Sequence, residues 1–467
     1  MMLRTTSSLR SGVKLVAVPR RSYAKIFNAP AAQKLKVNAD RLWDDLHSTA
    51  EWSEPNATTA AGGLSRLCGT TWDKMARDWF KDQVKSLGAK TYTVNGTGTQ
   101  IATFEGENNS IPPIAMGSHM DSVATGGRFD GPLGVIGALE AFKGMKEHGI
   151  KTYAPIALIN WTNEEGARFF PPLGSSIVYA GEKASLSSKH AEVNADTKQD
   201  VTAAFESKAN DGSGDTMGAA LQSIGYIGDG PNTFKEFPIS AHFEIHVEQQ
   251  TKLEKAGKSV GWVEGWQGID YYEMTLTGVD GHANTYSMEG RKDSLIGASK
   301  IMLELQNLAL QHDGITTVTN IQSGPIGACN IQSWTKIVFC VTNVSNSKLK
   351  EMGSEILARA EAEATASGLG YKVEKIIDFP AGKFWPEAVD CVKRACGDKG
   401  MGADTWTVHD SSMITRLCPT AMVFARAKDG VSHNPKEWTS KEDCAESALV
   451  LGRAVLNYDQ ILREKNA

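Results

Sequence analysis

No stretch of apolar residues approaches the roughly 20 that a helical membrane span requires, so no membrane role is expected. Cysteine is sparse and irregular: seven residues, Cys68, Cys329, Cys340, Cys391, Cys396, Cys418 and Cys444, with no Cys-x-x-Cys pair. That usage excludes a disulfide framework and fits a reducing or neutral compartment, with the cysteines in the core. An excess of basic charge is missing as well. Lys and Arg number 49 against 54 Asp and Glu, for a formal net charge of −5, which argues against a nucleic-acid partner. Internal repeats are absent. There remains a chain of 467 residues, 41% hydrophobic and 22% charged, long enough for two or three globular domains with a sizeable core.

A local absence marks the N-terminus, where no acid precedes Asp40. Residues 1–26 carry Arg4, Arg10, Lys14, Arg20, Arg21 and Lys25 among several Ser and Thr, with only the weak apolar patch "VKLVAV". This is the composition of a mitochondrial transit peptide, which predicts a mitochondrial location, with the cytoplasm as the alternative. Asn-x-Ser/Thr sequons occur at Asn56, Asn95, Asn108, Asn160 and Asn343; without a secretory signal they are chance matches.

The first half alternates apolar runs with amphipathic ones. "DKMARDWFKDQVKSLG" (73–88) has a helical period, "IPPIAMGS" (111–118) is a buried strand, "GPLGVIGALEAFKGMKEHG" (131–149) a helix and "APIALINW" (154–161) a second buried strand. Strand–helix–strand spacing of this kind builds a mainly parallel sheet, whose ligands gather beyond the carboxyl ends of its strands. Near residue 250 the texture changes. "GWVEGWQGIDYYEMTLTGVDG" (261–281) alternates with a period of two. A helix at about 293–311, a strand at 335–344, a helix at about 347–367 and a strand at 370–377 follow. The expected unit is strand–helix–strand–helix–strand, inserted into the larger domain. A long helix and the apolar strand "TAMVFA" (420–425) then resume the first texture. The run "NDGSGDTMG" (210–218) faintly echoes a calcium loop, but Gln222 stands where the final glutamate is needed, so it is a loop.

Five segments place metal-ligand residues at or near the ends of apolar runs: "GSHMDSV" with His119 and Asp121, "GRFDGPLG" with Asp130, "NEEGARF" with Glu164 and Glu165, "EIHVEQ" with His246, and "DGVSHNP" with His433. One histidine at a strand end is usually structural. Five such groups, all where an α/β sheet collects its ligands, form an imidazole and carboxylate set suited to Zn²⁺ or a similar divalent ion. In "HFEIHVEQ", His242, Glu244 and His246 share one parity and Phe243, Ile245 and Val247 the other, so His246 can face a site while the strand's other face packs. His242 is expected to be hydrogen-bonded support. Adjacent strand residues point to opposite faces, so Glu164 and Glu165 are expected to sit in the turn after their strand, where both reach one cleft.

The ordered set "GSHMDSV", "GRFDGPLGV", "NEEGARF", "EIHVEQ", "GHANTYSMEGRKD" and "GVSHNPKEW" resembles the amidase/hydantoinase/carbamoylase branch of the M20 metallopeptidase-like family over about residues 38–460. That branch includes β-ureidopropionase, N-carbamoyl-L-amino-acid hydrolase and allantoate amidohydrolase. The resemblance implies an α/β catalytic domain with a mixed, mainly parallel sheet and helices on both faces, plus an inserted α+β ferredoxin-like lid. On that plan residues 27–250 and 378–467 form the catalytic domain and residues 251–377 the lid, through which two subunits pair as a homodimer. It also implies two divalent metal ions, Zn²⁺ first and Mn²⁺ or Co²⁺ as alternatives, bridged by Asp130. His119 and His246 complete one ion, Glu165 and His433 the other. By the same resemblance Asp121 orients His119, Glu164 is the general base, and His282 stabilises the transition state. Arg291 grips the substrate carboxylate, with Asn330 and Gln249 as further polar contacts. The implied reaction is hydrolysis of the carbamoyl C–N bond of a small N-carbamoyl amino acid or ureido acid, releasing ammonia and carbon dioxide.

Departures from the family pattern cluster away from the metals. Gln250 and Thr251 replace Gly-Pro, "QSWT" (332–335) replaces a turn after Asn330, and Thr405, Trp406, Thr407 and Val408 replace a run of small residues before His409 and Asp410. The hydrolytic centre is therefore expected to be intact and the specificity altered. Two readings compete with carbamoyl hydrolysis: an aminoacylase or dipeptidase cleaving an ordinary amide, and a catalytically silent homologue that binds a metabolite.

Overall fold

The computed structural model describes residues 29–181 and 206–466; the expected leader, residues 1–26, lies outside the described residues. Two sheets organise what is described. The larger contains β1 (Thr91–Val94), β2 (Gln100–Phe104), β3 (Ile114–His119), β4 (Ile156–Trp161), β5 (Ala241–Val247) and β6 (Val260–Trp266). The smaller contains β7 (Gly268–Thr277), β8 (Ile315–Gly324), β9 (Trp334–Asn343) and β10 (Gly370–Phe379). The chain then returns to the large sheet with β11 (Gly382–Lys383), β12 (Gly400–Thr405) and β13 (Thr420–Ala425).

The order across the large sheet is β1-β2-β4-β3-β5-β13-β6-β11, with β12 also paired to β6. Its centre, β4-β3-β5-β13, is parallel throughout, whereas β1, β2 and β11 join antiparallel and β6 runs antiparallel to β13 but parallel to β12. The sheet is thus mixed, and its parallel part is the central block. Every residue of β3, β4, β5 and β13 is buried, as strands covered on both faces must be. Alternate residues serve the two faces. Ile114 and Met116 enter the main core, with residues of the helices Pro132–Glu147, Pro386–Cys396 and Lys441–Asn466, while Ala115, Ala157 and Ile159 enter a second core with Tyr179 and Ile414. Phe243, Ile245 and Val247 take the first face, which leaves His242, Glu244 and His246 on the other, as their parity requires.

The small sheet has the order β10-β7-β9-β8 and is antiparallel throughout. With helices Ser294–Gln311 and Asn346–Ala366 packed on it, its connectivity is βαββαβ, the ferredoxin-like arrangement. Three expectations are corrected here. The alternating stretch 261–281 is two strands, split at Gln267. β6 belongs to the large sheet and only β7 to the small one, because the period of two continues across the junction and hides it. The strand β8 was not anticipated. It is an edge strand, mostly exposed and rich in Thr and polar residues, so it lacks an apolar signal. The expected long helix before "TAMVFA" is the 11-residue Pro386–Cys396, followed by β12.

The loop 210–218 binds its own protein. Asp211 and Asp215 both pair with Arg168, at 2.8 and 3.0 Å, so their carboxylates are spent on an arginine.

Candidate active site

Strands β3, β4, β5 and β13 run in one direction, so their carboxyl ends share an edge of the sheet, and the candidate residues converge there. His119 is the last residue of β3. Its Nδ1 lies 2.9 Å from the carbonyl oxygen of Asp121, which can only accept, so Nδ1 carries the proton and Nε2 is the free donor atom. His246, near the end of β5, is oriented the same way, with Nδ1 3.0 Å from the Val247 carbonyl oxygen. Asp130 sits in the turn before the helix Pro132–Glu147. Gly131 opens that helix with φ of 79°, and a Cβ on it would stand 2.3 Å from the His119 ring, so the close approach of turn and histidine requires glycine.

Asp130 faces both ways. Its Oδ1 is 2.9 Å from His246 Nε2 and 3.9 Å from His119 Nε2; its Oδ2 is 3.4 Å from His433 Nε2. His433 Nε2 lies 3.2 Å from Glu165 Oε2. Two triads result, His119–Asp130–His246 and Asp130–Glu165–His433, each with its ligand atoms within 4.8 Å of one another. Ligands about 2.0–2.1 Å from a tetrahedral ion stand about 3.3 Å apart, a separation these distances bracket. His119 Nε2 is buried with no hydrogen-bond partner, aimed into this cluster. The residues therefore fit divalent cations: His119, His246, Glu165 and His433 would each serve one triad, and Asp130 belongs to both.

The local field points the same way. Burial pushes His246 down, but Asp130 against it raises its pKa to about 9. Glu165 first, and then Asp130, lift His433 to about 11 against a partial desolvation that lowers it. This is a pocket that collects positive charge. Glu164 is raised well above the usual carboxylate range by burial and then by Asp410, Glu165, Asp130 and Glu244. Nearby cations would offset the repulsion among these carboxylates.

Glu164 and Glu165 follow β4 in a turn. Asn163, with φ of 56°, redirects the chain, and its side-chain amide donates to the carbonyl oxygen of Phe169 at 2.7 Å. The two side chains diverge: Glu165 reaches His433, whereas Glu164 Oε2 lies 3.5 Å from His119 Nε2 and Oε1 lies 3.8 Å from His409 Nδ1. The Asp121 carboxylate, expected to orient His119, is 3.9 Å from its Nδ1. It accepts the backbone N–H groups of Glu164 and Glu165 instead, each at 3.3 Å. Burial pushes Asp121 up to about 6, with His119 opposing. His242 is support, as expected: it is buried, with Nδ1 3.1 Å from Ser411 Oγ.

Gln249, expected to face substrate, adopts φ of 58° and donates to Asp130 Oδ2 at 2.8 Å and to Ser432 Oγ at 3.2 Å. The lid residues form a group of their own. His282 and Asn330 are bridged backbone to backbone, and Arg291 Nη2 donates to the carbonyl oxygens of Ala283 and Tyr286. Among the described residues no hydrogen bond or ion pair joins His282, Arg291 or Asn330 to the metal-ligating cluster.

Sequence reasoning gave no site role to His409. Its ring centroid is 4.0 Å from that of His246, and its Nε2 is 3.2 Å from Thr405 Oγ1. Burial and then His246 hold it well below the usual histidine range, hence neutral. The signal was its place between the departing run 405–408 and the helix Asp410–Ile414.

The profile of the peptidase family M20/M25/M40 matches residues 115–457. The chain belongs to this family. It is 32% identical to an N-carbamoyl-L-amino-acid amidohydrolase of Rhizobium meliloti, over 93% of this chain and 100% of the relative. It is 30% identical to an enzyme of the same description from Geobacillus stearothermophilus, over 91% of this chain and 99% of the relative. Among solved structures, an amidase of the hydantoinase/carbamoylase family from Burkholderia vietnamiensis has a TM-score of 0.82 at 33% identity, covering 90% of this chain and 97% of that one. This M20-family chain is accordingly a metal-dependent hydrolase of amide-type C–N bonds, and the two triads are its candidate metal-binding groups.

Proposed function

We propose that the enzyme hydrolyses the carbamoyl C–N bond of an N-carbamoyl amino acid or ureido acid, of the β-ureidopropionate kind, at a pair of divalent ions. One water is consumed, and the free amine, ammonia and carbon dioxide are released. The observation that carries the two-ion reading is Asp130, whose two carboxylate oxygens serve different triads. The relatives' shared description as N-carbamoyl-L-amino-acid amidohydrolases supports the bond. Zn²⁺, or Mn²⁺ or Co²⁺, would supply Lewis-acid polarisation and a water activated at neutral pH.

Glu164 takes the proton from the attacking water and returns it to the leaving nitrogen. Its side chain is buried beside His119 and outside both triads, so it stays free for that work. Arg291 receives the substrate carboxylate: its Nε is buried with no hydrogen-bond partner, while Nη2 is anchored on the lid. His282, bridged to Asn330 on the same lid, stabilises the developing negative charge when lid and cleft meet.

The lid also offers a surface for a second copy. Leu303 is 64% and Leu310 77% exposed on the helix Ser294–Gln311, and Ile315 and Ile321 are exposed on the neighbouring edge strand β8. This supports a homodimer through the lid. The leader composition supports mitochondrial import, testable by N-terminal sequencing of the protein from isolated mitochondria.

A substrate panel on metal-reconstituted enzyme decides the reaction. Ammonia release from β-ureidopropionate or N-carbamoyl-L-amino acids should exceed cleavage of N-acetyl amino acids and dipeptides. The reverse ranking would make it an aminoacylase or dipeptidase, and no turnover together with no bound metal would make it a silent homologue.

A further inference from the structure

Glu437 is neither a candidate ligand nor the base, and it is buried. Its Oε1 accepts the backbone N–H groups of Phe129 and Asp130, both at 3.0 Å. Its Oε2 lies 2.7 Å from Ser432 Oγ, which is itself 2.9 Å from Asp130 Oδ2 and 3.2 Å from Gln249 Nε2. One carboxylate therefore ties the turn carrying Asp130 to the loop carrying His433, across 307 positions of sequence. The space for it is made by Gly127, where a Cβ would stand 2.2 Å from Glu437 Oε1 and 2.3 Å from its Cβ.

The loop needs such a tie. His433 has φ of 50° and Asp429 φ of 57°, and the His433 side chain is 51% exposed, unlike the other four candidate ligands. Glu254 of the helix Lys252–Lys255 accepts the Asp429 N–H at 3.0 Å, which anchors the loop only at its start, before His433. We infer that Glu437 is a positioning residue that holds the Asp130 turn and the His433 loop in register, so that a single aspartate can serve both triads. Through Ser432 it also sets the oxygen that Asp130 shows to the His433 triad, and Gln249 shares that task. Carboxylates that orient ligands in this way commonly set metal affinity by one to two orders of magnitude.

The inference rests on the two-ion reading, and its test separates the two. Metal-free full-length enzyme is titrated with Co²⁺, following heat and visible absorption, and the parent should bind two ions. The variant E437A should keep its first ion within about threefold and bind the second about 10- to 100-fold more weakly. E437Q retains an oxygen for both N–H groups and should recover most of that loss. S432A, which removes the Ser432 link between Glu437 and Asp130 Oδ2 without removing the buried acid, should weaken the second ion about tenfold and serves if E437A does not fold. Parental affinity for the second ion in E437A or S432A overturns the inference, as does equal loss in E437A and E437Q. A parent that binds fewer than two ions overturns the two-ion reading and this inference with it.

Discussion

His119 is held by the main chain of Asp121, its Nδ1 2.9 Å from the carbonyl oxygen, while the Asp121 carboxylate stands 3.9 Å away. The acid in "HMD" thus serves two masters through different atoms. Its backbone sets the tautomer of one candidate ligand, and its carboxylate receives the N–H groups of Glu164 and Glu165.

The D121N substitution should therefore spare His119 and disturb the glutamates. The two N–H groups reach different oxygens of Asp121, so an amide there keeps one acceptor and sets its own N–H against the other N–H. Metal content and titration should show the ion at Glu165 weakened about tenfold with the ion at His119 nearly unchanged, and kcat should fall. Equal weakening of both ions would contradict this assignment.

Glu164 and Glu165 should separate by substitution. Glu164→Gln is expected to retain parental metal content and lose about 10²- to 10⁴-fold in kcat, the usual worth of a general base. Glu165→Gln should lose metal first, with activity partly restored by excess Zn²⁺ or Mn²⁺. Elemental analysis beside initial rates tells them apart.

Gly131→Ala tests the contact between turn and histidine. The backbone has φ of 79°, and the added methyl would lie 2.3 Å from the His119 ring. Stability should fall by about 1–3 kcal/mol from overpacking and strain, and metal affinity by tenfold or more. Denaturant melts of metal-free and metal-loaded protein resolve the two effects.

Acid should destabilise the fold partly through His242. Burial lowers its pKa to about 4, opposed by Glu244, against an ordinary value near 6.5. Between those values the unfolded chain binds the extra proton, so stability is full above about pH 6.5 and falls as pH drops toward 4. The limiting cost is on the order of 3 kcal/mol. Urea unfolding at pH 7.5 and 5 should show a smaller pH dependence in H242N than in the parent.

The paired change L303D and L310D should give a monomer in light scattering if the lid surface seats a second copy. Both leucines are largely exposed on the helix Ser294–Gln311, so the fold of the single chain should survive.

Some of this was readable from residues alone. The parity of "HFEIHVEQ" separated His246 from the packed face of β5, and the places of His119 at a strand end and of Glu165 and His433 beyond theirs brought the candidate ligands to one edge. Other features leave no trace in residue type. A carbonyl is the same at every position, so the bond from His119 to the Asp121 backbone could not be distinguished from one to its side chain. Glu437, flanked by Lys436 in a loop, reads as a surface charge until the fold buries it beneath Asp130. The junction of β6 and β7 is hidden by an alternation that runs unbroken through it, and β8 is hidden by its exposure.

The position of β13 has a consequence for biosynthesis. This strand, Thr420–Ala425, is made near the end of translation yet lies between β5 and β6, and the loop after it delivers His433. A chain stopped before then lacks the strand that pairs with both β5 and β6. Premature termination before residue 420 should leave a product with no assembled core and no second triad, prone to aggregate through the edges of β5 and β6 left unpaired. The Asp130–Glu165–His433 triad, unlike His119–Asp130–His246, can therefore form only in chains whose synthesis is almost complete.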